Sequence, residues 1–149
     1  NLPRKRMASG ALFFNKEGEL LILKSSYKDH WTIPGGIVDK DESPRDACVR
    51  EVKEEIGLDK EVGRILCADY KVDDGKGENV VFIFEGGTLT DEEINRIKLS
   101  EEEIVEFKFL PKEEALPLFN DSQHKRFKSI FDLWDSDKGI YLENGLKII

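Results

Sequence analysis

Between Gly36 and Leu58 the chain reads Gly36-Ile-Val-Asp-Lys-Asp-Glu42-Ser-Pro-Arg-Asp-Ala-Cys-Val-Arg50-Glu51-Val52-Lys-Glu54-Glu55-Ile-Gly57-Leu58. A helix is marked at both ends. Ser43 is a good cap, Pro44 suits the first helical position and Asp46 sits at the third. Gly57 is placed to end the helix in the left-handed conformation. Within it Glu51, Glu54 and Glu55 are three and four residues apart, so they share an arc of roughly 100°. Like charges at that spacing repel by a few tenths of a kcal/mol per pair, roughly, even in water. A divalent cation reverses the sign. Mg²⁺ takes a few carboxylates, several waters and substrate phosphate oxygens. Cys48, Val49, Val52 and Ile56 lie on the adjacent face, so one side can pack on a core while its edge offers carboxylates.

The pattern Gly-x5-Glu-x7-Arg-Glu-apolar-x-Glu-Glu-x-Gly-apolar resembles the signature of the Nudix (MutT-like) hydrolases. Gly36, Glu42, Arg50, Glu51, Val52, Glu54, Glu55, Gly57 and Leu58 fill it. Chance would do so in about one chain in a million. The resemblance implies an α/β fold, an α-β-α sandwich around a mixed, partly parallel sheet. It also implies a metal-dependent pyrophosphohydrolase that cleaves a phosphoanhydride linking a nucleoside phosphate to another moiety. Mg²⁺ or Mn²⁺ is the implied cofactor. Glu51, Glu54, Glu55 and the carbonyl of Gly35 match its ligands, with Glu51 and Arg50 also in the catalytic group. Glu42, Gly36 and Gly57 are supporting positions, and Arg50 is suited to hold a glutamate by a bidentate salt bridge. The family often places a further glutamate before a strand like Phe107-Lys-Phe-Leu. Glu103 is the choice here for loop base or extra ligand, with Glu51 and Glu55 as rivals. Trp31, Tyr27, Tyr70 and Phe82 lie where the family often contacts the nucleoside.

The 149 residues suit one domain, 1–149. Of these 39% are hydrophobic and 36% charged, a folded and polar composition. A net charge of −8 argues against binding nucleic acid or an anionic membrane. It does not argue against a small-molecule nucleotide, whose phosphates a metal neutralises. No apolar run approaches the ~18 residues of a membrane span. The basic start, Asn1-Leu-Pro-Arg-Lys-Arg, lacks the apolar stretch of a secretory signal. It also lacks Met, which leaves room for a segment upstream. Cys48 and Cys67 read as buried free thiols rather than a disulfide, pointing to the cytoplasm. A homodimer stays open.

Along the chain, Met7 to Phe14 and Glu19 to Leu23 read as a hairpin around Asn15–Gly18. Trp31 to Pro34 reads as extended. Val62 to Val72 and Asn79 to Glu85 read as strands around a turn at Asp73-Asp-Gly75-Lys-Gly77-Glu, and Gly86-Gly87 as the end of the second. Thr90 to Ser100 suggests a short helix, and Glu106 to Leu110 a half-buried strand. Phe127, Ile130, Phe131 and Trp134 fall on one face of a helix. Asn144-Gly145 marks a closing hairpin.

Nucleoside triphosphates, including oxidised ones, are the first substrate reading. ADP-ribose, nucleotide sugars and dinucleoside polyphosphates are the second. A nucleotide sensor without catalysis is the third, but such modules usually lose signature glutamates and this chain keeps all of them.

Overall fold

A computed structural model describes residues 2–73, 75 and 77–148. Asp74 and Lys76 of the expected turn lie outside the described residues, as does Asn1 of the basic start. The strands are β1 (Arg6–Phe14), β2 (Leu20–Ser25), β3 (Trp31–Thr32), β4 (Gly35–Ile37), β5 (Ile65–Asp73), β6 (Gly77–Thr88), β7 (Ile104–Leu110) and β8 (Ile140–Glu143). The helices are α1 (Pro44–Ile56), α2 (Asp91–Asn95), α3 (Lys112–Ala115) and α4 (Asp121–Asp132). Among the described residues they form one mixed sheet in the order β3-β2-β1-β6-β5-β8, with β4 pairing β1 and β7 pairing β2. The β1–β6 and β5–β8 pairs are parallel.

Side chains alternate across this sheet, and each face meets a different helix. Ala11, Phe13, Leu21 and Leu23 pack with Cys48, Val52 and Ile56 of α1. Leu12, Leu20 and Ile22 pack with Phe127 and Ile130 of α4. The result is the expected α-β-α sandwich. Both cysteines are buried and free. Among the described residues no helix is long and apolar enough to cross a membrane, which says nothing of β-barrels.

The helix signals act as the sequence implies. The Ser43 side chain accepts from the Asp46 N–H, Pro44 opens α1, and Gly57 closes it at φ 74° with its N–H on the Lys53 carbonyl. Thr90 and Glu93 form a reciprocal cap on α2.

Four expectations need correction. The first hairpin opens at once. β1 and β2 meet at Phe14 and Leu20, after which β1 runs beside β6 and β2 beside β7. Gly86-Gly87 does not end β6, which continues to Thr88. Gly87 takes φ 86°, the register slips beside Leu12 and Phe13, and the strand absorbs a bulge. Trp134 lies past the end of α4, 40% exposed, with Arg64 over its ring at 5.3 Å. Asn144-Gly145 makes its turn, but beyond it only Glu143 and Leu146 bridge, and β8 pairs chiefly with β5.

Gly86 is required for packing. A Cβ there would lie 2.5 Å from the buried Phe13 ring. Gly86→Ala should lower stability by about 1–3 kcal/mol, the usual cost of overpacking a core. Urea denaturation checks it, and an unshifted midpoint would contradict the packing.

Candidate active site

The site starts with two adjacent glycines. In β4, Gly35 and Gly36 pair with Gly10 and Ser9 of β1. The strands approach so closely that a Cβ on Gly35 would lie 2.3 Å from the Ser9 carbonyl oxygen. The close approach turns the Gly35 N–H onto α1, where it donates to Glu55 Oε1 at 2.8 Å. A Cβ on Gly36 would lie 2.5 Å from the Glu51 carboxylate, so that glycine makes the space Glu51 occupies.

Arg50 organises the acidic edge. Its Nε and Nη2 donate to the two oxygens of Glu42 at 2.8 and 3.0 Å. Nη1 donates to Glu51 at 3.0 Å and Glu54 at 3.3 Å, and Nη2 also reaches the Ile37 carbonyl at 3.1 Å. Glu42 in turn accepts from the Asp39 N–H. This is more than a lone surface ion pair. One planar guanidinium sets three signature carboxylates and the end of β4 in register.

Glu55 is 7% exposed, and burial pushes its carboxyl up to about 8, with Glu51, Glu103 and Glu54 adding repulsion. Burial raises Glu51 as well, against the pull of Arg50. Glu51, Glu55 and Glu103 line one cleft of about 530 Å³, a size suited to a small molecule. Glu103 arrives on the turn before β7. Its carbonyl takes the Ser26 N–H at 3.0 Å, while the Ser26 hydroxyl reaches the Glu102 carbonyl at 3.2 Å. That couples the Glu103 turn to the loop carrying Tyr27.

Among the described residues no three acidic, His or Cys side chains converge on one metal-ligating point. The donor chemistry nonetheless fits Mg²⁺ or Mn²⁺. The carboxylates on the cleft are hard oxygen donors, and two are held in a setting that disfavours their charge unless a cation offsets it. Glu54 differs from its neighbours. Its side chain is 52% exposed, bound to Arg50, and not among the cleft-lining residues.

Of the four aromatics, Tyr27 lines the cleft. Phe82 packs with the α1-side core, while its neighbours Val81 and Ile83 line the cleft. Strand alternation fixes that parity. Trp31 packs with the α4-side core beneath Lys108. Tyr70 is hydrogen-bonded to Glu78. None of these three lines the cleft. Sequence reasoning missed the α4 wall, with Gln123 and Arg126, and also Ser9, whose buried hydroxyl has no partner among the described residues. The signal for Arg126 is a charged residue adjoining the apolar stripe at Phe127.

The NUDIX domain model matches residues 4–130. Diphosphoinositol polyphosphate phosphohydrolase 3-alpha of Mus musculus is 38% identical over 81 residues, covering 54% of this chain and 49% of that protein. The chain thus spans about half the length of the curated relatives it matches. Among solved structures, a MutT protein from Methanosarcina mazei Go1 superposes with a TM-score of 0.75 at 26% identity, covering 89% of this chain and 98% of that one. A C. elegans Ap4A hydrolase gives 0.69 at 27% identity, covering 87% and 96%. The fold and the glutamate helix define a Nudix protein. The chain belongs to the NUDIX domain family.

Glu55 makes stability depend on pH when metal is absent. In the unfolded chain its carboxyl ionises near the ordinary 4.5, whereas the native protein holds the proton to about pH 8. Between those values the native state binds more protons than the unfolded one, so stability falls as pH rises and levels off above. In chelator, Glu55→Gln should remove this contribution and raise the melting temperature at about pH 8 relative to the parent. Thermal scans across the window test it, and equal slopes in both proteins would place the carboxyl in water.

Proposed function

We propose that this chain is a divalent-metal-dependent pyrophosphohydrolase of a small molecule, with nucleoside triphosphates, oxidised ones included, as the first substrate class. The observation that carries the reading is the gathering of Glu51, Glu55 and Glu103 on one cleft beside the glycine pair of β4. Glu51, Glu54, Glu55 and the Gly35 carbonyl would hold Mg²⁺ or Mn²⁺. When bound, the cation polarises a phosphoryl oxygen and makes water more acidic.

The remaining work belongs to the chain. Water oxygen attacks one phosphorus, and the bridging P–O bond breaks with its electron pair leaving on the second phosphate. Glu103 accepts the proton lost by the water. Its turn is exposed, unlike the enclosed Glu55. Arg50 orients Glu51 and Glu54 from outside the cleft lining.

A second reading takes diphosphoinositol polyphosphates as substrate. It is favoured by the 38% identity to the mouse protein of that name. The Ap4A hydrolase likeness keeps dinucleoside polyphosphates in the same frame. The buried free thiols and the small-molecule cleft suit a cytoplasmic enzyme.

Incubating the protein with a nucleotide panel and Mg²⁺, then separating products by chromatography, tests the reading. Hydrolysis should stop on chelation. Glu54→Gln and Glu55→Gln should each nearly abolish turnover and keep the fold. Undiminished cleavage after chelation would overturn the metal assignment. Glu103→Gln should lower kcat about 10²-fold, the scale of general-base catalysis, with little change in KM, while Glu102→Gln serves as control. No loss in either variant would return the base to Glu51 or Glu55.

A further inference from the structure

The α4 wall of the cleft holds two side chains that the phosphate chemistry leaves unused. Gln123 and Arg126 both line the cleft, three residues apart on α4, so they share one face.

Gln123 bonds Thr32 through its amide nitrogen. Thr32 Oγ1 donates to the Ile33 carbonyl at 3.5 Å and accepts from Gln123 Nε2 at 2.9 Å. The amide oxygen therefore points the other way. Gln123 Oε1 is enclosed and has no donor among the described residues. An enclosed carbonyl oxygen is costly unless a ligand supplies the missing N–H or O–H.

Arg126 is its complement. It is 4% exposed. Nε donates to Asp69 Oδ2 at 2.7 Å and Nη2 to Ser122 Oγ at 3.4 Å. Asp69 is held from behind by the Gly145 N–H at 3.0 Å. Nη1 has no hydrogen-bond partner among the described residues, and it is not one of the fully enclosed unpartnered atoms. Its remaining surface is the cleft. An acceptor and a donor thus stand one helical turn apart, each fixed by its own bonds.

The charge of this wall narrows the ligand. Arg126 is paired with Asp69, and Lys71 with Asp73 at 3.0 Å. Asn79 also donates to Asp73, at 2.7 Å. A ring bearing phosphates on its carbons would meet, at Arg126 and Lys71, cations already matched by carboxylates, while Arg6 and Lys28 also line the cleft. A flat, neutral ring with an N–H beside a ring nitrogen or carbonyl oxygen satisfies both open groups.

We infer that the α4 wall reads a nucleobase, with Gln123 Oε1 accepting from its N–H and Arg126 Nη1 donating to the neighbouring acceptor. This rests on the cleft being the substrate site of the proposed hydrolase. It goes further by choosing nucleotides over inositol polyphosphates.

Calorimetric titration tests it, using the full chain with Mg²⁺ and ligands that are not hydrolysed. The probes are the four common nucleoside monophosphates, ribose 5-phosphate and inositol hexakisphosphate. At least one nucleotide should bind about tenfold or more tighter than ribose 5-phosphate. Gln123→Leu should erase that preference, leaving the ribose 5-phosphate affinity and the melting temperature unchanged. Methylating the N–H on the preferred base should cost the parent protein the same factor, a test that needs no variant. The inference is overturned if inositol hexakisphosphate binds tighter than every nucleotide, or if neither change alters the preference. The two readings fail separately. Gln123-dependent nucleotide binding without hydrolysis keeps this inference and removes the activity. Metal-dependent hydrolysis of a diphosphoinositol substrate without nucleotide binding does the reverse.

Discussion

The hydrogen bond from the Gly35 N–H to Glu55 joins the sheet to the signature helix, and the candidate site depends on it. It forms only because β4 can press against β1 without side chains between them. Burial of Glu55 holds its carboxyl up to about 8, against the downward pull of the Gly35 N–H itself. A carboxylate in that position is poorly solvated and close to Glu51, Glu103 and Glu54. Such an arrangement costs stability in the metal-free chain and is relieved by a cation. Pre-organisation of this kind means that the protein, not the arriving ion, bears the cost of gathering like charges.

The signature helix is legible in the sequence because its information is local. Ser43, Pro44, Asp46 and Gly57 act within one helix, and each performs its expected capping role. The seven residues between Glu42 and Arg50 bring that pair back together around the helix start, where they form two parallel hydrogen bonds. Local spacing does not reveal that the three box glutamates have different surroundings. Glu55 turns toward the core, Glu51 toward Gly36, and Glu54 toward solvent and Arg50. That difference depends on which strand covers the helix.

The opposite wall was hidden for the same reason. Asp69 and Arg126 are 57 residues apart, on a strand and a helix that meet only in the folded chain. Before folding, the polar start of α4 reads as a solvated face. The aromatic candidates show a related limit. Phe82, Val81 and Ile83 are adjacent and all apolar, so nothing in the run itself says which faces the cleft. The parallel β1–β6 pairing decides it. Likewise Gly86-Gly87 looks like a break, and becomes a bulge only because the Phe13 ring lies across it.

The cleft therefore joins two opposite electrostatic arrangements. At its α4 end every paired cation has its own carboxylate, and the groups left open are hydrogen-bonding ones. At its α1 end the carboxylates outnumber their cation, since Arg50 reaches Glu51 and Glu54 but makes no hydrogen bond to Glu55. A ligand that suits both ends needs a neutral polar head and an anionic tail accompanied by positive charge. An evenly charged polyanion would be repelled by the carboxylates at one end and would meet Arg126 and Lys71 already matched at the other. On the proposed nucleotide reading, the asymmetry of the ligand matches that of the cleft, which is set by which carboxylates the fold leaves without a cation.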